Sequence, residues 1–324
     1  MDMVAPAVSS EEITMRQIIT ITLNPAFDIH YEVERFEAGK ENYSTNKIVS
    51  IGGKGLNISR ALALHGRDSL AVIVLGEEGS VEFRAGLDAE GINYLAFPCP
   101  GAVRQNITIH PAEGPETRLS LDTSRLDISI LHEIKQALTP LIQPGSLVAF
   151  GGRVPRGLPL EAVKEFFQAL QARGAWLVLD SNSLSLQDLA EIKPWLIKPN
   201  EYEIEALLGR EIRTEEEVHQ AAQEIRQLGV VNVLISLGEH GLVYAGPDVC
   251  GRVHVPQITP VSTIGAGDSV LAGYMFAYAE GLDQQEILKT AAAFGTAACL
   301  TPGTQPPQPE VIAQLKAEMA VECF

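Results

Sequence analysis

Short, continuous apolar runs rich in β-branched residues recur along this chain, and most are followed by a segment with helical periodicity. The first run covers residues 17–23 and ends at Asn24 and Pro25. Further runs cover residues 70–76, 147–150, 176–180, 195–200 and 231–236. Strands that are apolar on both faces and alternate with helices are typical of a parallel sheet covered on both sides. We therefore predict an α/β fold with a doubly wound, mostly parallel sheet.

Two segments interrupt this alternation. Residues 29–51 and 101–122 mix apolar and polar side chains loosely and have no helical period, which is typical of short strand pairs. Together they predict one small β-sheet lid. Neither pair buries enough apolar surface alone, so we expect the lid to pack on the main domain or across a homodimer. We predict a single domain over residues 1–324, with a disordered tail over residues 1–15.

The charge of the chain restricts its partners. A formal net charge of −17 argues against nucleic acid or an anionic membrane, because both favour basic proteins. No apolar run reaches the ~18–20 residues of a membrane span, and the first residues lack the basic and apolar regions of a secretion signal. The four cysteines show no CxxC pair and no metal-ligand spacing. These features predict a cytoplasmic protein.

The stretch from Gly265 to Asp268 precedes a long apolar helical pattern. Gly265 and Gly267 leave no side chain in the way, so consecutive amides can turn toward one anion at the start of a helix. Asp268 then has two interpretations. It caps the helix, as Asp often does, or it acts as a general base beside a bound phosphate.

A second glycine-rich helix start contains Gly52, Gly53, Lys54 and Asn57, and it predicts an anion or polyol site. A dinucleotide fingerprint is rejected because position 58 is Ile instead of the third glycine.

Polar residues also follow two of the strands. Asp28 lies just beyond the first strand, where it is either a sugar ligand or a solvated turn residue. Arg153 and Arg156 follow the strand at 147–150, as phosphate clamps or as loop residues.

Five stretches of the chain resemble, in the same order, motifs of the PfkB (ribokinase-like) sugar kinases. They are Leu23-Asn-Pro-Ala-Phe-Asp28, Gly52-Gly-Lys-Gly-Leu-Asn57, Lys198-Pro-Asn-Glu-Tyr-Glu203, Ser236-Leu-Gly-Glu-His-Gly241 and Ser262-Thr-Ile-Gly-Ala-Gly-Asp268. The resemblance is strongest to the phosphosugar branch, which contains 1-phosphofructokinase, tagatose-6-phosphate kinase and the minor bacterial 6-phosphofructokinase. It implies a ribokinase-like fold and transfer of the γ-phosphoryl group of ATP to a hydroxyl of a phosphorylated ketohexose.

The resemblance also implies roles for individual residues. Asp268 matches the catalytic base, and Gly265, Ala266 and Gly267 match the anion hole. The sugar side contains Asp28, Gly52, Gly53, Lys54, Asn57, Arg104 and Arg153, with Arg104 placed on the substrate phosphate. The nucleotide side contains Lys198, Asn200, Ser236, Gly238, Gly241 and Thr263. Glu203, through water, and Asn200 match the Mg²⁺ site.

Two departures from the family pattern affect substrate choice. The usual Ser-Gly-Ser-Leu-Pro is here Gly151-Gly-Arg-Val-Pro155, which puts a large cation beside the expected sugar phosphate. Tyr202 stands where some relatives carry a basic residue, which leaves the nucleotide preference open. The alternatives to a phosphoketohexose kinase are a kinase of an unphosphorylated sugar or nucleoside, and a non-catalytic sensor of sugar phosphate or nucleotide.

Overall fold

The computed structural model describes residues 16–121 and 125–324. The predicted tail over residues 1–15 and the last residue of the predicted lid therefore lie outside the described residues. The strands are β1 (Ile18–Thr22), β2 (Ala26–Val33), β3 (Ser44–Gly52), β4 (Leu70–Glu78), β5 (Tyr94–Ala102), β6 (Arg104–Pro111), β7 (Thr117–Ser120), β8 (Leu147–Gly151), β9 (Trp176–Asp180), β10 (Leu196–Ile197), β11 (Asn232–Ser236), β12 (Leu242–Ala245), β13 (Cys250–His254) and β14 (Ala320–Cys323). The helices are α1 (Lys54–Leu64), α2 (Ser80–Ala89), α3 (Ser129–Leu138), α4 (Leu160–Gln171), α5 (Leu186–Ile192), α6 (Glu201–Leu208), α7 (Glu215–Gln227), α8 (Ala266–Ala279), α9 (Gln284–Ala298) and α10 (Pro309–Ala317), with one 3₁₀ turn at Gly238–His240.

The described residues form a ten-stranded sheet in the order β14-β13-β12-β11-β10-β9-β8-β1-β4-β5. Neighbouring strands from β11 to β5 are parallel, whereas β12, β13 and β14 extend the sheet antiparallel. The predicted α/β fold with a mostly parallel sheet is confirmed. The antiparallel edge was not predicted, because three runs of four or five residues give little periodic signal.

Both faces of the sheet are buried, as the continuous apolar strands require. On β1, Ile19 and Ile21 join a core with α3, α4, α5, α6 and α7, while Ile18 joins a core with α1, α8, α9 and α10. Each fully buried side chain of this type stabilises the fold by ~1.5–3 kcal/mol relative to an exposed one. The helices are thereby fixed on the sheet, and with them the loops at the strand ends.

A separate four-stranded sheet has the order β3-β2-β6-β7. We call it the lid. Its central strands, β2 and β6, are parallel, and each pairs antiparallel with an outer strand. The two segments expected to build one small sheet therefore do so in their described parts, and the sheet begins three residues earlier than expected, at Ala26.

Candidate functional site

The carboxyl ends of the parallel strands, the amino ends of α1 and α8 and the lid surround a cavity of about 380 Å³. The lining residues come from segments far apart in the sequence. They are Asp28, Gly53, Lys54, Asn57, Arg104, Asn106, Asp180, Lys198, Asn200, Glu203, Ser236, Ile264, Gly265, Gly267, Asp268 and Thr304. Most of the residues that the sequence predicted for the site therefore lie around one cavity.

The amino end of α8 supplies the predicted anion site. Gly265 is the N-cap residue with φ 76°, a left-handed conformation that glycine adopts without strain. Asp268 lies inside the first turn, so the interpretation of Asp268 as the N-cap is wrong. Gly267 lies close to Lys198, because a Cβ there would be 3.1 Å from the Lys198 Nζ. Unpaired N–H groups of the first turn and the positive helix end favour a phosphoryl group here.

Asp268 is a buried carboxylate that faces this anion site. Only 6% of the residue is exposed, and its Oδ2 accepts a 2.8 Å hydrogen bond from Asn57 Nδ2. Burial, reinforced by the negative charge of Asp180, raises the pKa of Asp268 to about 6. A carboxylate with that pKa is ionised at neutral pH and is also more basic than an ordinary one, which suits proton abstraction.

Asp180 links two cavity lysines. It is the last residue of β9 and is 3% exposed. Its carboxylate contacts the Nζ of Lys54 at 3.1 Å and that of Lys198 at 3.7 Å. Burial alone would lower the pKa of Lys54, but Asp180 and Asp268 more than offset this and raise it. Lys54 is thus held as a cation at the cavity wall, and Lys198 lines the same cavity beside Asp180.

Asp180 was not among the site residues predicted from the sequence. The signal was present, because Asp180 ends a predicted strand and so follows the same rule that pointed to Asp28.

The lid contributes an acidic and a basic side chain. Asp28 on β2 accepts a 2.8 Å hydrogen bond from Asn106 Nδ2 on β6, and burial raises the pKa of Asp28. Arg104 lies two residues before Asn106 on the same strand and also lines the cavity. Asn106 is a second site residue that was not predicted from the sequence.

Asn200 and Glu203 begin α6 as a reciprocal capping box. Asn200 accepts from the Glu203 N–H at 2.9 Å, and Glu203 Oε2 accepts from the Asn200 N–H at 3.0 Å. Asn200 also pairs with Ser236 as an isolated parallel bridge. These contacts hold the side chains of Asn200 and Glu203 at the cavity wall, which Lys198 also lines.

Several predicted residues do not line the cavity. They are Gly52, Arg153, Gly238, Gly241, Thr263 and Ala266. Arg153 is exposed. Glycine is required at position 241 by packing, because a Cβ there would lie 2.0 Å from the Val253 carbonyl oxygen. Gly52 acts next to the cavity, because a Cβ there would lie 2.0 Å from Asp28 Oδ2.

Two properties of the described residues bear on partners. None of the described helices has the length and apolar character needed to cross a membrane. Nor do the described residues contain a group of three or more His, Cys, Asp or Glu side chains suited to hold a metal ion.

Comparison with known proteins supports a shared family. Residues 21–311 match the model of the pfkB family of carbohydrate kinases. The 1-phosphofructokinase of Borreliella burgdorferi is 33% identical over 284 residues, which cover 87% of this chain and 92% of that protein. The tagatose-6-phosphate kinase of Staphylococcus epidermidis is 28% identical over 281 residues, which cover 86% of this chain and 90% of that protein.

Solved structures agree in fold. Phosphofructokinase-2 from Escherichia coli, in complex with fructose-6-phosphate, has a TM-score of 0.87 at 26% identity and covers 94% of this chain and 99% of its own. A Thermotoga maritima structure described as a possible 1-phosphofructokinase has a TM-score of 0.82, and the match covers 95% of this chain and 100% of that one. At 20% identity, the second comparison shows the fold alone.

Proposed function

This chain belongs to the pfkB family of carbohydrate kinases, and we propose that it transfers the γ-phosphoryl group of ATP to a hydroxyl of a ketohexose phosphate. It is a phosphotransferase with an alcohol group as acceptor. The resemblance inferred from the five motifs is confirmed by the family match over residues 21–311. Fructose 1-phosphate is our first candidate substrate, with fructose 6-phosphate and tagatose 6-phosphate next, because relatives named for these reactions align along most of the chain.

The observation that carries the proposal is the position of Asp268. A buried carboxylate of raised pKa lies in the first turn of α8, where it accepts a hydrogen bond from Asn57. In the proposed reaction, Asp268 takes the proton of the sugar hydroxyl while the hydroxyl oxygen attacks the γ-phosphorus. The bond between that phosphorus and the bridging oxygen breaks, and ADP leaves with the electron pair.

The surrounding groups support the charge that develops on the transferred phosphoryl group. The N–H groups at the start of α8 and the ammonium groups of Lys54 and Lys198 all border the same cavity. Such preorganised donors stabilise a transition state more than they would in water. Phosphoryl transfer requires mainly positioning and electrostatic stabilisation, so no covalent intermediate on a side chain is needed.

Glu203 and Asn200 fit a Mg²⁺ ion that keeps most of its water. Glu203 uses Oε2 in the capping box, which leaves Oε1 to accept from a metal-bound water. Oxygen donors with retained water suit Mg²⁺. When bound, the ion would neutralise phosphate charge.

We also propose that the lid forms a homodimer contact. Apolar side chains on its outer strands are exposed, among them Val49 at 49% and Leu119 at 58%. Exposed apolar surface on a small sheet favours association. A cytoplasmic location follows from the composition and stays a prediction.

A substrate panel tests the proposal. ADP release from Mg²⁺-ATP is measured with fructose 1-phosphate, fructose 6-phosphate, tagatose 6-phosphate, free fructose and ribose. We expect one phosphosugar to give by far the highest kcat/KM. Preference for free fructose or ribose would instead identify a kinase of unphosphorylated sugars. Ligand-dependent thermal stabilisation without any turnover would identify a sensor and contradict the proposed function.

A further inference from the structure

Two asparagine side chains that line the cavity each donate a hydrogen bond to an aspartate. Asn57 Nδ2 donates to Asp268 Oδ2 at 2.8 Å, and Asn106 Nδ2 donates to Asp28 Oδ1 at 2.8 Å. All four side chains line the cavity. Asn57 is one of the predicted sugar-binding residues, whereas no role in the proposed reaction is assigned to Asn106.

The amide of Asn106 has a defined orientation. Its Nδ2 donates to Asp28 Oδ1, so the NH₂ group faces Asp28. The Oδ1 atom therefore lies on the other side, where it is buried and accepts no hydrogen bond from any described residue. Asn57 Oδ1 is in the same situation.

A buried acceptor without a donor is costly. Leaving such a group unpaired costs ~1–3 kcal/mol, and most native structures avoid it. The ligand that satisfies Asn106 Oδ1 must bring a hydrogen to donate. A sugar hydroxyl does so, whereas the oxygens of an ionised phosphate do not.

The lid holds this amide rigidly. Asp28 and Asn106 are directly opposite in the β2–β6 register. The other oxygen of Asp28 lies against Gly52, where a Cβ would come within 2.0 Å. The carboxylate is thus confined from both sides.

The strand also sets the distance from Asn106 to a cation. Arg104 and Asn106 are two residues apart on β6, so they lie on one face about 7 Å apart. With that separation, Arg104 can bind the phosphate of the sugar while Asn106 binds a hydroxyl a few carbons away.

We propose that Asn106 is a specificity-determining residue that accepts a hydrogen bond from a non-reacting hydroxyl of the sugar and fixes Asp28 in place. This inference rests on the proposed function, since it names one contact of the same substrate. It predicts that the enzyme discriminates between a hydroxyl and fluorine at one carbon, because fluorine cannot donate.

The test is a double-mutant cycle between Asn106 and the sugar. Fructose 1-phosphate and fructose 6-phosphate are compared with their 3-deoxy-3-fluoro and 4-deoxy-4-fluoro analogues, which keep the reacting hydroxyl. In the wild type we expect one analogue to lose about 5- to 100-fold in kcat/KM. In Asn106→Leu, whose side chain has as many heavy atoms but no hydrogen-bonding group, that penalty should shrink below about 3-fold at the same carbon only. Asn106→Ala should repeat the result if the leucine disturbs the strand.

Gln105→Ala provides the matched control, because Gln105 precedes Asn106 on β6 and is exposed. It should keep the wild-type penalties at both carbons. Equal fluorine penalties in wild type and both Asn106 variants would overturn the role of Asn106.

The same cycle is measured as Kd by calorimetry without nucleotide, which separates the two proposals. Binding without turnover would refute the proposed function, while the Kd cycle would still decide on Asn106. Neither binding nor turnover with any phosphosugar would overturn both.

Discussion

Asp268 is buried and yet must carry a negative charge at neutral pH in the proposed reaction. Lys54 and Lys198 favour that charge, but burial and the nearby Asp180 oppose it more strongly. Because the pKa is about 6 in the folded chain against an ordinary value of 3.8 for an aspartate, the ionised carboxylate costs stability.

The contribution of Asp268 to stability is fully present below pH 3.8 and is lost as the pH rises through about 6. Asp268→Asn should therefore raise the free energy of unfolding by about 1–3 kcal/mol at pH 8 and have little effect at pH 4. Urea unfolding at both pH values measures this. A variant that is no more stable than the wild type at pH 8 would contradict the assigned burial and charge.

Asp180 should set the pH at which the base works. Replacing Asp180 with Asn removes a nearby negative charge and releases two lysines to interact with Asp268, and both effects lower the pKa of Asp268. The acid limb of kcat/KM should then move to lower pH, although the rate falls because the lysines are less well positioned. Asp248→Asn, which removes one exposed charge in the β12–β13 turn, is the control. An unshifted acid limb in Asp180→Asn would count against the electrostatic role.

At the scale of elements, the site is built where the lid meets the sheet. The sheet and its helices supply the anion site, the base and the two lysines, whereas the lid supplies Asp28, Arg104 and Asn106. The division suggests that the lid selects the sugar and the sheet carries out the transfer.

Arg104 tests this division. We expect Arg104→Ala to raise KM for the phosphosugar at least about 10-fold, since charge-assisted bonds contribute ~1.5–3 kcal/mol, while KM for ATP changes little. Steady-state kinetics with each substrate varied gives both values. Arg118→Ala is the matched control, because Arg118 is an exposed lid arginine on β7. An unchanged sugar KM in Arg104→Ala would show that the phosphate is bound elsewhere.

Strand ends and helix starts could be predicted from the sequence, and contacts between distant strands could not. The apolar runs located β1, β4, β8, β9, β10 and β11, so residues just beyond these strands were natural candidates for the site. The partnership of Asp28 with Asn106 depends on the parallel register of β2 and β6, and no local pattern encodes that register. Strand β5 contains Pro98 and Pro100, and proline usually argues against a strand. The two prolines are tolerated because β5 lies at the edge of the sheet.

At the scale of the whole molecule, the lid carries apolar side chains that are exposed among the described residues. Tyr43 is 75% exposed and Val49 is 49% exposed, both near or on the edge strand β3. A stable interface buries ~1,200–2,000 Å² in total, so a lid dimer requires a contact of about that size.

Val49→Asp should therefore convert a dimer to a monomer and weaken sugar binding, because a lid without its partner packs less firmly. Light scattering coupled to size-exclusion chromatography measures the mass. Val81→Asp is the control, since Val81 is 75% exposed on α2, outside the lid. Wild-type mass in Val49→Asp, or a monomeric wild type, would contradict the lid dimer.

The most direct test of the proposed mechanism is the turnover of Asp268→Asn with the preferred phosphosugar and Mg²⁺-ATP. We predict that kcat falls by ~10²–10⁴-fold, the usual contribution of a general base, while the Kd values for sugar and nucleotide stay within a few-fold of the wild type. A variant that binds both ligands and retains a near-normal kcat would contradict Asp268 as the base and, with it, the mechanism proposed for this site.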